Sequence, residues 1–495
     1  MSEQLGGYRD SAAINWLNDD TLLSIFNCYR LNNNTVWNKR LGWCNLTHVC
    51  QRWRHLIYEF TSHLGMYIQC THGTPIADTL DHLPPLPLLV VYKDFMTEQD
   101  ELGLYHALQL HNRVREIYLD LPHSVRDDSE SILHKCLVLM DGHFPILDRL
   151  CLRAMVEQIT LPSNMFSAPN LRHLIFFDIL PEGLQLLTWL LTSTVSLVTL
   201  KLRAIETYFD PTLLVARLSS LPQLELLSIS FSIPSPCPRE LLGEEGTPIT
   251  LPNLKSFRFF GDTAYLDVLV SQIMAPGPSL ECLDIPAFDP SALPHLSHFI
   301  NAAVGLEPHT ARVHIHRQEF RILMTYDHSP WPDRRFLLRV DCLRWDLNMD
   351  CAAQICTVLI SALCSVERLV LELDHCMVLE IGEIGRRTWH ELLRPFIGIK
   401  ALYLCGGFLE ELSGALQVDE IGSDPEFLPN LQCIFAADNL FTSFIDTRRV
   451  VGRPVQFSLL PPPPLPPPLR YYANVYPSST NPFADTRWSH VSREQ

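Results

Sequence analysis

The chain has 495 residues, with 38 Lys and Arg against 55 Asp and Glu, so its net charge is 38 − 55 = −17. An acidic field of that size repels a polyanion and excludes nucleic-acid binding as the main role, because such proteins neutralise phosphates with basic patches. A hydrophobic content of 47% with 19% charged residues excludes a disordered chain, and the length exceeds one ordinary core of about 100 to 200 residues.

The 15 cysteines form no CxxC pair and their spacings are irregular, so reduced thiols are expected rather than a zinc or disulfide framework. Met1 to Asp10 is polar and lacks the apolar core of a secretory signal. No apolar run reaches the roughly 18 residues of a spanning helix. A cytoplasmic or nuclear protein away from membranes is expected.

Residues 1–72 carry six basic and five acidic side chains, 6 − 5 = +1, so the rest of the chain holds −18. This change of character separates a short tail (1–12) and a helical module (13–72) from the remainder of the chain. Asp19-Asp20 precede Leu22, Leu23, Ile25 and Phe26, the spacing of a short amphipathic helix with a carboxylate cap. Asn32-Asn33-Asn34 end it. Trp43, Leu46, Val49, Cys50, Trp53, Leu56 and Ile57 then mark one face of a second helix. A core this small buries a modest fraction of its surface and leans on a partner. Val49 and Trp53 are expected inside it.

The segment Ile14-Asn15-Trp16-Leu17-Asn18-Asp19-Asp20, with Leu22-Leu23-Ile25-Phe26 and His48-Val49-Cys50-Gln51-Arg52-Trp53-Arg54, resembles an F-box. It is most similar to the F-box proteins of large fungal families, in which a stretch like Gly73-Thr74-Pro75-Ile76-Ala77-Asp78 and Leu83-Pro84-Pro85-Leu86-Pro87-Leu88 comes after the motif. Two departures stand out. The family's usual Leu-Pro is here Leu17-Asn18, which removes the fixed φ of the first turn, and Cys28 to Arg40 is a long insertion. The resemblance implies binding of the Skp adaptor of a cullin-RING ubiquitin ligase. It carries that contact onto Leu17, Leu22, Leu23, Ile25, Phe26, Leu46, Val49, Cys50, Trp53 and Leu56.

After a connecting region (73–112), the pattern apolar-x-x-apolar-x-apolar recurs over 113–460. It reads Val114/Ile117/Leu119, Leu147/Leu150/Leu152, Leu171/Leu174/Phe176, Leu197/Leu200/Leu202, Leu224/Leu227/Ile229, Leu254/Phe257/Phe259 and Leu280/Leu283/Ile285. After a gap it resumes as Val366/Leu369/Leu371, Ile399/Leu402/Leu404 and Leu431/Ile434/Ala436. The gap has room for two diverged copies at a leucine-rich-repeat period of 20 to 29 residues, with Val313-His314-Ile315 and Leu338-Arg339-Val340 as candidates. Asp210, Asp262 and Asp350 each precede an apolar helical stripe. The repeat consensus asparagine, eight residues after each start, is nearly absent; only Asn439 conforms. The expected fold class is therefore α/β: a small all-helical F-box-like module followed by an irregular leucine-rich-repeat-like solenoid. A globular α/β domain with a parallel sheet shares the same alternation.

In a solenoid, residues between the inward apolar positions face outward along the sheet. Those positions hold Arg149, Arg153, His173, Phe177, Lys201, Arg203, Arg258 and Phe260, a basic stripe suited to an acidic or phosphorylated protein segment. No GxSxG, GxxxxGK[ST], GxGxxG or HExxH signature is present; His314-x-His316 is the nearest thing to a ligand pair, but alternate strand positions share a face in many ordinary sheets, and the neighbours Asp374-His375-Cys376 point to opposite faces of a strand. No cofactor or metal is expected. Leu459 to Pro468 is a polyproline stretch opening a C-terminal tail (461–495). The sequence thus reads as a non-enzymatic substrate receptor, and alternatively as a repeat scaffold with a degenerate F-box.

Overall fold

The computed structural model describes residues 16–33, 44–60, 68–70, 86–92, 98–121, 135–136, 138–140, 142–154, 166–177, 196–205, 208–231, 237–242, 247–274, 282–285, 294–304, 308–315, 319–325, 335–341, 348–373, 386–406, 409–416, 428–437 and 440–459. The chain is mixed α/β with parallel strands and divides into two compact units, Met1–Leu254 and Lys255–Gln495. The division falls inside the expected array. No helix among the described residues is long and apolar enough to cross a membrane.

The first unit opens with α1 (Asp19–Asn33), α2 (Cys44–Thr47) and α3 (Gln51–Glu59). The cap of α1 differs from the expected carboxylate. Thr21 N–H donates to Asn18 Oδ1 (2.8 Å) and Leu22 N–H to the Asn18 carbonyl (3.1 Å), so Asn18 itself is the cap. Arg52 of α3 then ties down the start of α1, donating to the Leu17 carbonyl (2.7 Å) and to Asp19 Oδ1 (2.5 Å). The second apolar series is broken rather than continuous. Cys50 is extended (φ −158°, ψ 169°) and its Sγ accepts from Trp53 N–H, so the chain restarts as α3 and Val49 leaves the apolar face.

The strands follow as β1 (Ile68–Cys70), β2 (Leu88–Tyr92), β3 (Val114–Leu121), β4 (Arg149–Ala154), β5 (His173–Phe177), β6 (Thr199–Ile205) and β7 (Leu226–Phe231), each parallel to the next. Helix α4 (Glu98–Gln109) connects β2 to β3, and α5 (Pro211–Leu218) connects β6 to β7. The Asp210 side chain caps α5 through Thr212 N–H at 2.8 Å, as its position predicts. The inward positions Ile117, Leu150, Leu174, Leu200 and Leu227 lie in register and are fully buried, the core row that the apolar spacing anticipates.

Before several strands the chain makes the same turn, closed by N–H(i) to O=C(i−3) at Leu147/Phe144, Leu171/Ala168, Leu224/Leu221 and Leu254/Leu251. Proline stands second in each of these turns, at Pro145, Pro169, Pro222 and Pro252, where its fixed φ suits a type I turn. The residue before the leucine reaches back to the previous turn: Asn170 Nδ2 donates to the Pro145 carbonyl (2.6 Å), Ser196 Oγ to Pro169 (2.7 Å) and Asn253 Nδ2 to Pro222 (2.8 Å).

The second unit carries β8 (Ser256–Phe260), α6 (Thr263–Ser271), β9 (Cys282–Ile285), α7 (Pro294–Val304), β10 (Thr310–Ile315), β11 (Glu319–Thr325), β12 (Arg335–Asp341), α8 (Asn348–Val358), β13 (Arg368–Leu373), α9 (Arg386–Leu393), β14 (Ala401–Gly406), α10 (Leu409–Leu416), β15 (Cys433–Phe435), α11 (Thr442–Val450) and β16 (Gln456–Ser458). Asp262 caps α6 as expected, through Ala264 N–H at 2.7 Å. Asp350 instead lies inside the first turn of α8, which starts at Asn348.

The gap in the repeat pattern is where the topology departs most. Both candidate copies are strands, but in space the order is β9, β12, β11, β10, β13. Strand β12 is parallel to β9, β10 is parallel to β13, and β11 runs antiparallel between them. A three-stranded meander therefore replaces two parallel repeats. The turn and its ladder resume beyond it, with Leu431 N–H bonded to the Leu428 carbonyl and Asn430 Nδ2 donating to the Ile397 carbonyl (3.0 Å).

Candidate functional sites on the helical module and the sheet faces

The ten positions carried over from the F-box resemblance separate into two groups. Leu22, Phe26, Trp53 and Leu56 are buried together with Ile57, and the Phe26 and Trp53 rings meet edge to face at 4.8 Å. These form the module's own core. Leu17, Leu23, Leu46 and Cys50 are half-buried, Ile25 is 42% exposed and Val49 is 56% exposed. Val49, expected in the core, is therefore on the surface, because the break at Cys50 turns it out of the α3 face. Trp16, just ahead of α1, is 81% exposed. Large apolar groups on a module this small are suited to burial against another protein.

On the first unit's sheet, the face opposite the core carries three rows in register. They are Glu116, Arg149, His173, Thr199; Tyr118, Cys151, Ile175, Lys201; and Asp120, Arg153, Phe177, Arg203. Six of the eight residues of the expected basic stripe thus share one face. Arg149 Nη1 donates to the Tyr118 hydroxyl (3.0 Å), which donates to Glu116 Oε2 (3.0 Å). Burial works against the Arg149 charge, but Tyr118 and Glu116 outweigh it and its pKa is raised. Burial, and then the Glu116 carboxylate, raise the Tyr118 phenol. Arg153 lies 3.7 Å from Asp120, and the Arg203 guanidinium stands 5.4 Å over the Phe177 ring. Burial pushes the Cys151 thiol up to about 12, so it is protonated at neutral pH.

Arg258 and Phe260 belong to the second unit, where they alternate along β8 with the buried Phe257 and Phe259. The Arg258 Nε is buried without a hydrogen-bond partner. Register extends this row to Asp284, Arg339, Arg321, His314 and Glu372. Arg312, two residues before His314, holds Glu372 at 2.5 Å, with both side chains 18% exposed. Beside them, the Tyr403 and Phe435 rings stack at 4.4 Å and 6° between planes. Sequence reasoning missed this group because a parallel repeat order does not bring Arg321 opposite Arg339; the antiparallel β11 does.

Among the described residues, no three His, Cys, Asp or Glu side chains gather as a metal-binding set. His316, Asp374-His375-Cys376, Gly73 to Asp78, Leu83-Pro84-Pro85 and the polyproline stretch from Leu460 lie outside the described residues. No family model matches the chain, and no curated protein sequence matches it.

Proposed function

We propose that this chain is an F-box-type substrate receptor. Its helical module binds a Skp-type adaptor and through it a cullin-RING ubiquitin ligase, and its leucine-rich-repeat-like strands select the protein to be ubiquitinated. The observation that carries the reading is the division of the module's apolar residues: five close a core, while Ile25 and Val49 stay exposed at the positions where the resemblance places adaptor contacts. A few such anchors dominate the energy of a helix-in-groove contact. Asn18 caps α1 through its side chain, which supports an ordered first turn where the family usually has proline. The repeated Pro-containing turn and the Asn/Ser ladder support the repeat reading of the strands.

The receptor has no catalytic group of its own in this scheme. Its contribution is proximity, holding a target lysine near ubiquitin activated by partner subunits. Co-purification with a Skp adaptor tests it, with Ile25→Asp/Val49→Asp as the variant. Leu22 is unsuitable for this purpose because it is fully buried and its replacement by Asp would unfold the module.

A further inference from the structure

The outward positions of the second unit's sheet change character at β14. On β10 and β13 they include the Arg312–Glu372 ion pair. From β14 to β16 the positions around Tyr403 and Phe435 hold Ala401, Cys405, Cys433 and Gln456, none of them charged. Leu402, Leu404 and Ile434 alternate with these and are buried, so Tyr403 and Phe435 point away from the core and are only half-buried. The two rings stack at 4.4 Å with 6° between planes, close to the spacing of about 4.8 Å between strands. Each ring therefore covers one face of the other, which leaves the outer face of Phe435 towards β16 and that of Tyr403 towards β13. The residues on either side are small: Ser458 is in register with Phe435, and the buried Val370 with Tyr403.

The chain itself supplies a segment suited to those faces. The described residues end at Leu459, one residue beyond Ser458 and 66% exposed. Seven of the ten residues from Leu459 to Pro468 are proline, the other three are Leu, and none is charged. A polyproline helix has no internal hydrogen bonds and loses little entropy on binding. Its ring C–H groups pack on aromatic faces, and its free carbonyls accept from hydroxyls such as that of Tyr403. At about 3.1 Å per residue, Pro461 to Pro468 reaches about 25 Å, whereas the three strand spacings from β16 to β13 add up to about 14 Å. A short link also holds the segment near the rings at an effective concentration in the millimolar range.

We propose that Leu460 to Pro468 docks as a polyproline helix across β15 and β14 of its own chain, against the Phe435 and Tyr403 rings. This segment, rather than another protein's, is the occupant because it begins beside the strand next to Phe435 and is as free of charge as the face it covers. The contact closes over the last strands of the sheet, so an external ligand for this face must first displace the tail. It holds whether or not the helical module binds an adaptor.

The test uses the full chain and a variant with Pro→Ser at all seven prolines from Pro461 to Pro468. The probe is a fluorescent peptide with the sequence of Leu459 to Arg470, followed by anisotropy. The tail variant is expected to bind the peptide at least about tenfold more tightly than wild type, since a tail seated about nine-tenths of the time leaves one-tenth of the sites open. Adding Tyr403→Ala/Phe435→Ala to the tail variant is expected to lower binding to the level of a Ser-substituted peptide at an unchanged melting temperature. A second measurement needs no change to the rings. Cys433 is half-buried on the same face, two residues before Phe435, and iodoacetamide is expected to label it several-fold faster in the tail variant than in wild type. The proposal is overturned if the tail variant does not bind the peptide, if wild type binds it equally well, if the folded ring variant binds it undiminished, or if Cys433 labelling does not change. A WW domain that binds the free peptide is expected to capture wild type at least about tenfold more weakly than the peptide. Equal capture overturns self-docking and assigns the proline run to an external proline-binding module. None of these readouts involves the adaptor, so their failure is distinct from failure of the receptor reading.

Discussion

Truncating Leu22 and Ile25, three residues apart on α1, is expected to have very different consequences. Leu22 is fully buried beside the Phe26–Trp53 pair, so Leu22→Ala removes buried carbon and leaves a cavity, at a cost of roughly 2 to 5 kcal/mol. Three short helices rarely hold more than about 3 to 5 kcal/mol of their own, so that loss removes most of the module's stability. Ile25 is 42% exposed, and Ile25→Ala is expected to cost about 0.5 kcal/mol. Amide hydrogen exchange read by mass spectrometry on peptides covering α1 and α3 measures both. Protection is expected to collapse in α1 and α3 for Leu22→Ala and to stay near wild type for Ile25→Ala. Equal losses from the two variants, or wild-type protection in Leu22→Ala, would refute the division between core and surface on which the adaptor assignment stands.

Other outcomes rest on the same structure. Asn18→Ala removes the cap bond to Thr21 N–H and is expected to cost about 1 kcal/mol, read as faster exchange confined to the first turn of α1. Gly398→Ala would drive a Cβ into the Cys364 carbonyl and to 3.1 Å from the Val366 carbonyl, so a loss of about 1 to 3 kcal/mol is expected in the second unit's thermal melt. The Cys151 thiol, raised from 9.0 to about 12, keeps its proton in the folded state while the unfolded chain loses it. Its stabilisation is therefore fully present below pH 9 and lost as pH rises towards 12, and Cys151→Ala is expected to flatten that part of the stability profile. Iodoacetamide at about pH 8 is expected to label the exposed Cys28 and to spare Cys151, with peptide mapping as the readout.

Much of the fold is legible because local spacing and burial coincide. The apolar triplets Leu147/Leu150/Leu152 and Ile399/Leu402/Leu404 place the strands, since period-2 burial follows directly from the pleat. The caps at Asp210 and Asp262 are readable for a similar reason, a carboxylate directly ahead of an apolar stripe. The illegible part depends on non-local pairing. Strands β10 and β12 are recognisable one by one, but their reversed order is set by β11, whose Phe320, Ile322 and Met324 alternate as well as any parallel strand would. That reversal hides the alignment of His314, Arg321 and Arg339. Val49 is misplaced by a helical period carried through Cys50, whose extended backbone restarts the helix.

The basic stripe is half legible. Alternation puts Arg149, Arg153, Lys201 and Arg203 on one face, but it says nothing of Tyr118 and Glu116, which engage Arg149 from the neighbouring strand. The missing repeat asparagine has a visible counterpart one residue before the leucine, at Asn170, Asn253 and Asn430, where the side chain bonds the preceding turn. The signal in the sequence is the recurring Pro-Asn-Leu triplet.

The most direct measurement is capture of a purified Skp adaptor by the full chain, with hydrogen exchange confirming that the module is folded in each variant. Wild type is expected to capture the adaptor, and Ile25→Asp/Val49→Asp to lose capture while α1 and α3 keep their protection. Failure of the folded wild type to capture the adaptor would contradict the receptor function, and full capture by the folded double variant would contradict the surface assigned to it.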